Sequence, residues 1–254
     1  MKRRGERTLV LAIDIGTSST RTALFDLRAR RLVETTAQRP YQLELTHDGG
    51  AELPPDVVLD ATLAILRSTL RKRHGHVIAV GASCFWHGLL GADERGRALT
   101  PIYTWADSRC RVDAAKLRRK YSERAVHART GCMVRASFWP AKLMWLRRTQ
   151  PRVFNRVKRW MSAAEWLHGQ LGGEGHCSYS MASGTGLLNV MKLEWDDGMV
   201  ACCGLTRQHL NPLTDAAFAC DKVAGLREAW WFPAIGDGAA SNLGSGATRP
   251  GLAA

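Results

Sequence analysis

The apolar and polar positions of the first hundred residues lay out a small sheet and one crossover helix. Residues 8–15 form an apolar run that ends beside a carboxylate, Asp14. The chain turns through Gly16, Thr17, Ser18 and Ser19 into a second strand over 21–27, and a third over 32–39 or beyond follows the turn at Asp26. Antiparallel pairing is the economical arrangement for three strands joined by short turns. Pro54-Pro55 then opens a helix over 56–73, in which Val57, Leu59, Leu63, Leu66 and Leu70 fall near helical spacing. Residues 77–83 read as a buried parallel strand, so the segment predicts an α/β layer with a site at that strand's C-terminal end.

Downstream the period becomes helical. Helices are expected over 111–121, 142–148, 153–161 and 163–171, the last stopped by Gly172-Gly173, with a short one within 194–203. In the third of these, Arg152, Arg156 and Arg159 ride beside Val153, Val157 and Trp160, as on a surface helix with a solvated face. Residues 178–186, rich in Ser, Thr and Gly, read as a structural loop rather than a second phosphate loop, because no strand-to-helix phosphate motif surrounds them. Near the end, Asp237 lies between Gly236 and Gly238 and opens a helix of small residues. That position suits a base at a positive helix pole with room for a ligand, or simply a helix cap.

Composition narrows the class. A chain of 254 residues with 45% apolar content has enough core for one large domain or two small ones. The basic residues at 2–4 precede too short an apolar run for an export signal, and no run is long enough to span a bilayer, so a cytoplasmic protein without membrane association is expected. Seven cysteines without C-x-x-C spacing favour free buried thiols over zinc or disulfides. The net charge of +13 comes in clusters, which is compatible with nucleic acid, but the helical stripes favour solvated faces and no nucleic-acid partner.

Candidate chemistry sits in the turns. In the loop 14–19, Gly16 allows close approach of an anion, Thr17, Ser18 and Ser19 offer hydroxyls, and Arg21 adds charge. Asp14 would hold hydrated Mg²⁺ against the same phosphates. The plain alternative is a turn whose polar groups bond their own backbone. After the fourth strand, Trp86 and His87, with Trp105 further on, suit a sugar or polyol pocket, though each residue alone is better explained as core, the tryptophans by packing and His87 by a bond to backbone. Asp107 and Arg109 read as an ion pair capping the next helix.

Taken together and in this order, Asp14-Ile15-Gly16-Thr17-Ser18-Ser19, Trp86-His87-Gly88, Trp105-Ala106-Asp107-Ser108-Arg109 and Gly236-Asp237-Gly238-Ala239-Ala240 resemble the FGGY family of carbohydrate kinases. The resemblance implies an actin/hexokinase-like, ribonuclease H-like α/β domain with a mixed sheet and inserted helices. It assigns a core sheet to about 8–110, a helical insertion to about 111–205 and a base motif to 231–246, within one domain over 1–254. It implies ATP and Mg²⁺, with Asp237 as catalytic base, Asp14 as metal holder, Gly16, Thr17, Ser18, Ser19 and Arg21 at the phosphates, and Trp86, His87 and Trp105 at the acceptor. Residues 138–146 and 180–186 look most like the gluconokinase and xylulokinase branches, which points to a sugar or sugar acid as acceptor, gluconate first. The family's C-terminal ATP-binding domain is expected to be missing, because the residues after Gly246 do not look like a strand leading onward. A separate C-terminal domain or self-association would then complete the enzyme. The competing reading is an inactive half-kinase that binds sugars or partners.

Overall fold

The computed structural model describes residues 7–249 and 251–252. The reading that residues 1–6 contain no export signal, and that of the last residues, Pro250, Ala253 and Ala254, concern positions outside those described. The expected meander is present: β1 (Thr8–Ile15), β2 (Ser19–Asp26) and β3 (Arg31–Pro40) pair antiparallel in that order. The strand His76–Cys84 joins β1 in parallel, and two short parallel strands, Trp230–Trp231 and Ile235–Gly236, lie on its far side. This mixed sheet is the scaffold of the site.

Strict alternation in β1 explains how the sheet is covered. Leu9, Leu11, Ile13 and Ile15 are buried on one face, whereas Val10, Ala12 and Asp14 on the other are half-exposed. The helix Pro55–Arg71 lies over β2 and β3. Its buried stripe is Val58, Ala61, Thr62, Ile65, Leu66 and Thr69, which rotates the expected face, and Val57 points outward. Threonines cause the rotation. Thr69 exchanges a 2.7 Å hydroxyl bond with Thr22 and donates to the Thr35 carbonyl, so this polar seam lies under the helix where a purely apolar stripe was expected.

The inserted segment corrects the expected helix over 153–161. The helix Pro151–Arg156 stops, and Arg159–Met161 becomes a strand antiparallel to Leu90–Ala92. Trp160 is 1% exposed and packs on Phe154, so the chain extends to bury it instead of winding on. Arg159 is exposed as expected, though on a strand and not a helix, and its guanidinium donates to the carbonyls of Gln208 and Leu210. The neighbouring helices Trp139–Thr149 and Ala163–Gln170 form close to where they were expected, the latter with a Ser162–Glu165 capping box. All seven cysteines are free thiols. Among the described residues no helix is long and apolar enough to cross a membrane.

Candidate active site

Three parallel strands end together. In the sheet register, Ile15 and Gly236 both lie beside Cys84, on opposite sides of its strand. Asp14 and Asp237 therefore emerge at the same carboxyl edge, two strand spacings or about 10 Å apart in backbone. A reacting group can sit between carboxylates so placed, and the crevice beyond strand C-termini is where α/β sheets bind ligands.

Asp14 is half-exposed. Its Oδ1 accepts from the Ser83 hydroxyl at 2.7 Å, and its Oδ2 lies 3.4 Å from Arg21, its cross-strand partner. The turn beyond it closes on itself: Gly16 N–H donates to the Ser19 carbonyl, and the Tyr41 hydroxyl donates to the Gly16 carbonyl at 2.6 Å. Ser19 is buried and its hydroxyl accepts from Gln38. Gly16 N–H is thus spent on the turn and the Ser19 hydroxyl is buried beside Gln38, which leaves Thr17, half-buried, and Ser18, exposed, as the more accessible hydroxyls.

The donor set bears on magnesium. Among the described residues no three His, Cys, Asp or Glu side chains cluster as metal ligands. A single half-exposed carboxylate fits an ion that keeps several waters and takes its other ligands from phosphate, which is the habit of Mg²⁺. It does not make a site for a bare ion.

Asp237 is exposed and is the first residue of the helix Asp237–Ser245. It is not the cap, because Gly236 holds that position without a side chain. One carboxylate oxygen, Oδ1, accepts from the N–H groups of Trp86 at 3.3 Å and Gly238 at 3.0 Å. These bonds orient the carboxylate and leave Oδ2 for a hydroxyl proton.

The glycines around Asp237 do something other than admit a ligand. A Cβ on Gly236, Gly238 or Gly184 would run into the Trp86 indole. The ring fills the space that sequence reasoning reserved for substrate, and its Nε1 donates to the Ser180 carbonyl at 2.9 Å. Trp86 is accordingly a wall of the site, held edge and face by glycine backbone. Gly236→Ala should cost about 1–3 kcal/mol by overpacking. In a urea-unfolding cycle, combining it with Trp86→Ala should cost less than the sum of the two single changes. Strict additivity would refute the slot.

His87 sits in a left-handed turn at φ 67°, and its Nδ1 lies 2.5 Å from the Gly184 carbonyl. A carbonyl only accepts, so Nδ1 carries the proton and Nε2 remains an acceptor for a sugar hydroxyl. Burial holds the imidazole pKa below the ordinary 6.5; the Gly184 carbonyl and Asp237 oppose that shift, and the nearby Lys142 adds to it. The ring is neutral at neutral pH. Residues 178–186 prove to be the clasp for this pair: the short helix Tyr179–Ser183 and Gly184 supply both carbonyl acceptors, and the Ser180 hydroxyl accepts from Gly236 N–H.

Trp105 is 53% exposed, on a loop whose inner side is an ionic knot. Arg109 bridges Glu52 and the buried Asp107 and stacks 4.5 Å over Trp145. Asp107 accepts from Arg109 and Ala51 N–H groups, so it anchors the loop and does not cap the following helix, which has no side-chain cap. Sequence reasoning missed Glu52, Ser83, Tyr41 and Lys142. Only Lys142 left a signal: a lysine among Trp139, Leu143 and Leu146 on one helix stripe.

Beside Asp14 and Arg21 the uncovered sheet face opens as a cleft of about 600 Å³. Cross-strand pairs Val10–Phe25 and Ala12–Ala23 line it, with Ala82, Phe232, Ile235 and Ala240.

Residues 9–231 match the FGGY family of carbohydrate kinases, N-terminal domain. The chain belongs to that family. It is 28% identical to gluconokinase of Bacillus subtilis (strain 168), covering 95% of this chain and 48% of that protein. It is 26% identical to xylulose kinase of Escherichia coli (strain K12), covering 94% and 50%. Its fold matches the gluconate kinase crystal structure from Lactobacillus acidophilus at a TM-score of 0.89, with 24% identity over 95% of this chain and 50% of that one. The FGGY chain described here thus spans about half the length of the curated relatives it matches, and its actin/hexokinase-like domain architecture is that of the family.

Proposed function

We propose that this domain binds the acceptor and removes its proton in an ATP-dependent carbohydrate kinase, with a sugar or sugar acid of the gluconate or xylulose class as acceptor. The carrying observation is Asp237, held by the Trp86 N–H through one oxygen, at the sheet edge where Asp14 also emerges. In the reaction the acceptor hydroxyl oxygen bonds to the γ-phosphorus of ATP, the bond to the bridging oxygen breaks, and ADP leaves. Asp237 Oδ2 receives the hydroxyl proton. His87 Nε2 accepts a second hydroxyl, and Trp86 and Trp105 present rings to the C–H face of the sugar. Thr17, Ser18 and Arg21 would face the phosphates, and Asp14 would hold a hydrated Mg²⁺, which would supply charge neutralisation there.

The partner we propose is a C-terminal ATP-binding domain, or a second copy, covering the cleft lined by Val10, Ala12 and Ala23. Small residues there permit close approach, and exposed apolar area of this kind is characteristic of an interface.

The test is coupled ADP release by the 254-residue chain with Mg-ATP and gluconate, xylulose, ribulose or glycerol, beside calorimetric binding of the same compounds. Acceptor binding is expected with gluconate or xylulose, and acceptor-dependent ADP with it where self-association or an added C-terminal domain completes the site. Binding without ADP even then would support the inactive sugar-binding module instead, and the lack of both signals would overturn the proposal.

A further inference from the structure

Lys142 is 0% exposed, on the first turns of the helix Trp139–Thr149. A buried lysine has to be answered by acceptors, and here they are main-chain oxygens: its Nζ donates to the His87 carbonyl at 2.7 Å and the Tyr103 carbonyl at 3.3 Å. Among the described residues no carboxylate forms an ion pair with it. The His87 carbonyl belongs to one of the two segments assigned to the acceptor, 86–88, and the Tyr103 carbonyl lies two residues before the other, 105–109. The same helix adds Trp139, whose indole N–H donates to the Gly88 carbonyl at 3.1 Å and whose N–H donates to the Thr185 carbonyl.

We infer that Lys142 is a positioning residue that clamps the two acceptor-side segments together through the carbonyls of His87 and Tyr103. Three facts support this. The segments already meet at a reciprocal pair of backbone bonds between Leu89 and Tyr103, so the clamp reinforces an existing contact and need not create one. His87 holds a left-handed backbone conformation, uncommon for a residue with a side chain, and an ammonium fixing its carbonyl offsets that strain. An apolar residue at position 142 would leave the His87 carbonyl without its donor while the helix packed as before. The lysine is therefore placed for the loops and not for the core.

The clamp is also sensitive to pH. Burial brings the Lys142 ammonium down to about 7, with Cys110 and Asp107 pulling the other way, and His87 is the further titratable group that faces it. Below neutrality the two bonds are charge-assisted, and above it they are bonds from a neutral amine, roughly half as strong. Acceptor affinity should weaken as pH rises through neutrality.

The assignment of these segments to the acceptor rests on the kinase reading, and the test separates the two. Lys142→Met and Lys142→Gln are compared with the unaltered chain by amide hydrogen exchange and by calorimetric titration of gluconate and xylulose from about pH 6 to about pH 9. Exchange at 86–89 and 103–105, corrected for intrinsic rates, should rise about tenfold in Lys142→Met while β1 is unchanged. Acceptor affinity should fall about tenfold at pH 6, and its dependence on pH across neutrality should disappear in both variants. Unchanged exchange at both segments, or the unaltered chain's pH profile in a variant without the lysine, would overturn the inference. Absence of acceptor binding by the unaltered chain would count against the kinase reading, while the exchange comparison would still decide the clamp. If Lys142→Met does not fold, Lys142→Gln retains a neutral donor. In the unaltered chain exchange at the two segments must itself accelerate across neutrality, and a flat corrected profile would sink the idea.

Discussion

Replacing Arg109 by methionine should destabilise the domain by about 3–5 kcal/mol, the usual consequence of removing one member of a buried ionic group. The side chains of Arg109, Glu52 and Asp107 are only 12%, 18% and 1% exposed, so solvent cannot take over when the guanidinium leaves. Two carboxylates would then face each other, and Asp107 would retain only backbone donors, the N–H groups of Arg109 and Ala51. The lost stacking on Trp145 and Tyr103 adds to the penalty. Against a total stability of about 5–15 kcal/mol for an ordinary domain, that loss is visible as a large shift of the urea midpoint. Arg109→Lys should recover little, because an ammonium lacks the planar fork that reaches both acids. Neutralising the partners as well, with Glu52→Gln and Asp107→Asn, should recover most of the loss. An Arg109→Met midpoint within error of the parent would show that the knot is only a surface pair.

The knot also shows where sequence reasoning reached and where it stopped. Asp107 and Arg109 are two residues apart, so their pairing was legible; Glu52 comes from a short strand far earlier in the chain and left no local pattern. The sheet was legible because alternation in β1 and the short turns at Gly16 and Asp26 are local properties. Asp14 and Asp237 were legible as candidates because each stands within two residues of a glycine at a strand end, and the sheet register brings both to one edge.

The slot for Trp86 was not legible. Gly184 lies far from Gly236 in the chain, and only the tertiary fold brings both against one indole. A glycine flanking a carboxylate looks the same in sequence whether it admits a ligand or a neighbouring side chain. The extended segment at Trp160 failed for a related reason: a tryptophan at helical spacing predicts a helix face, and the demand for its burial beside Phe154 overrode that pattern. Thr69 and Thr22 likewise exchanged a predicted apolar stripe for a hydrogen-bonded seam.

Asp237→Asn should lower acceptor-dependent ADP formation about a hundred- to ten-thousand-fold, the range that general-base assistance supplies. The carboxamide can keep the orienting contacts if its oxygen takes the place of Oδ1, accepting from the N–H groups of Trp86 and Gly238. The NH₂ then replaces Oδ2, where it donates and cannot receive a proton. Local structure is preserved while the proton acceptor is removed, because Asp237 is exposed and its carboxylate is not the helix cap. Acceptor affinity should therefore change little, since His87, Trp86 and Trp105 are untouched. Paired kcat and calorimetric measurements on the same preparation distinguish the outcomes. A fall in kcat with the acceptor dissociation constant retained is what a base requires. A large loss of affinity with kcat unchanged would make Asp237 a hydroxyl-binding residue, and unchanged turnover would remove it from the chemistry. The sheet-edge geometry would then have to be credited to Asp14 and the turn beyond it.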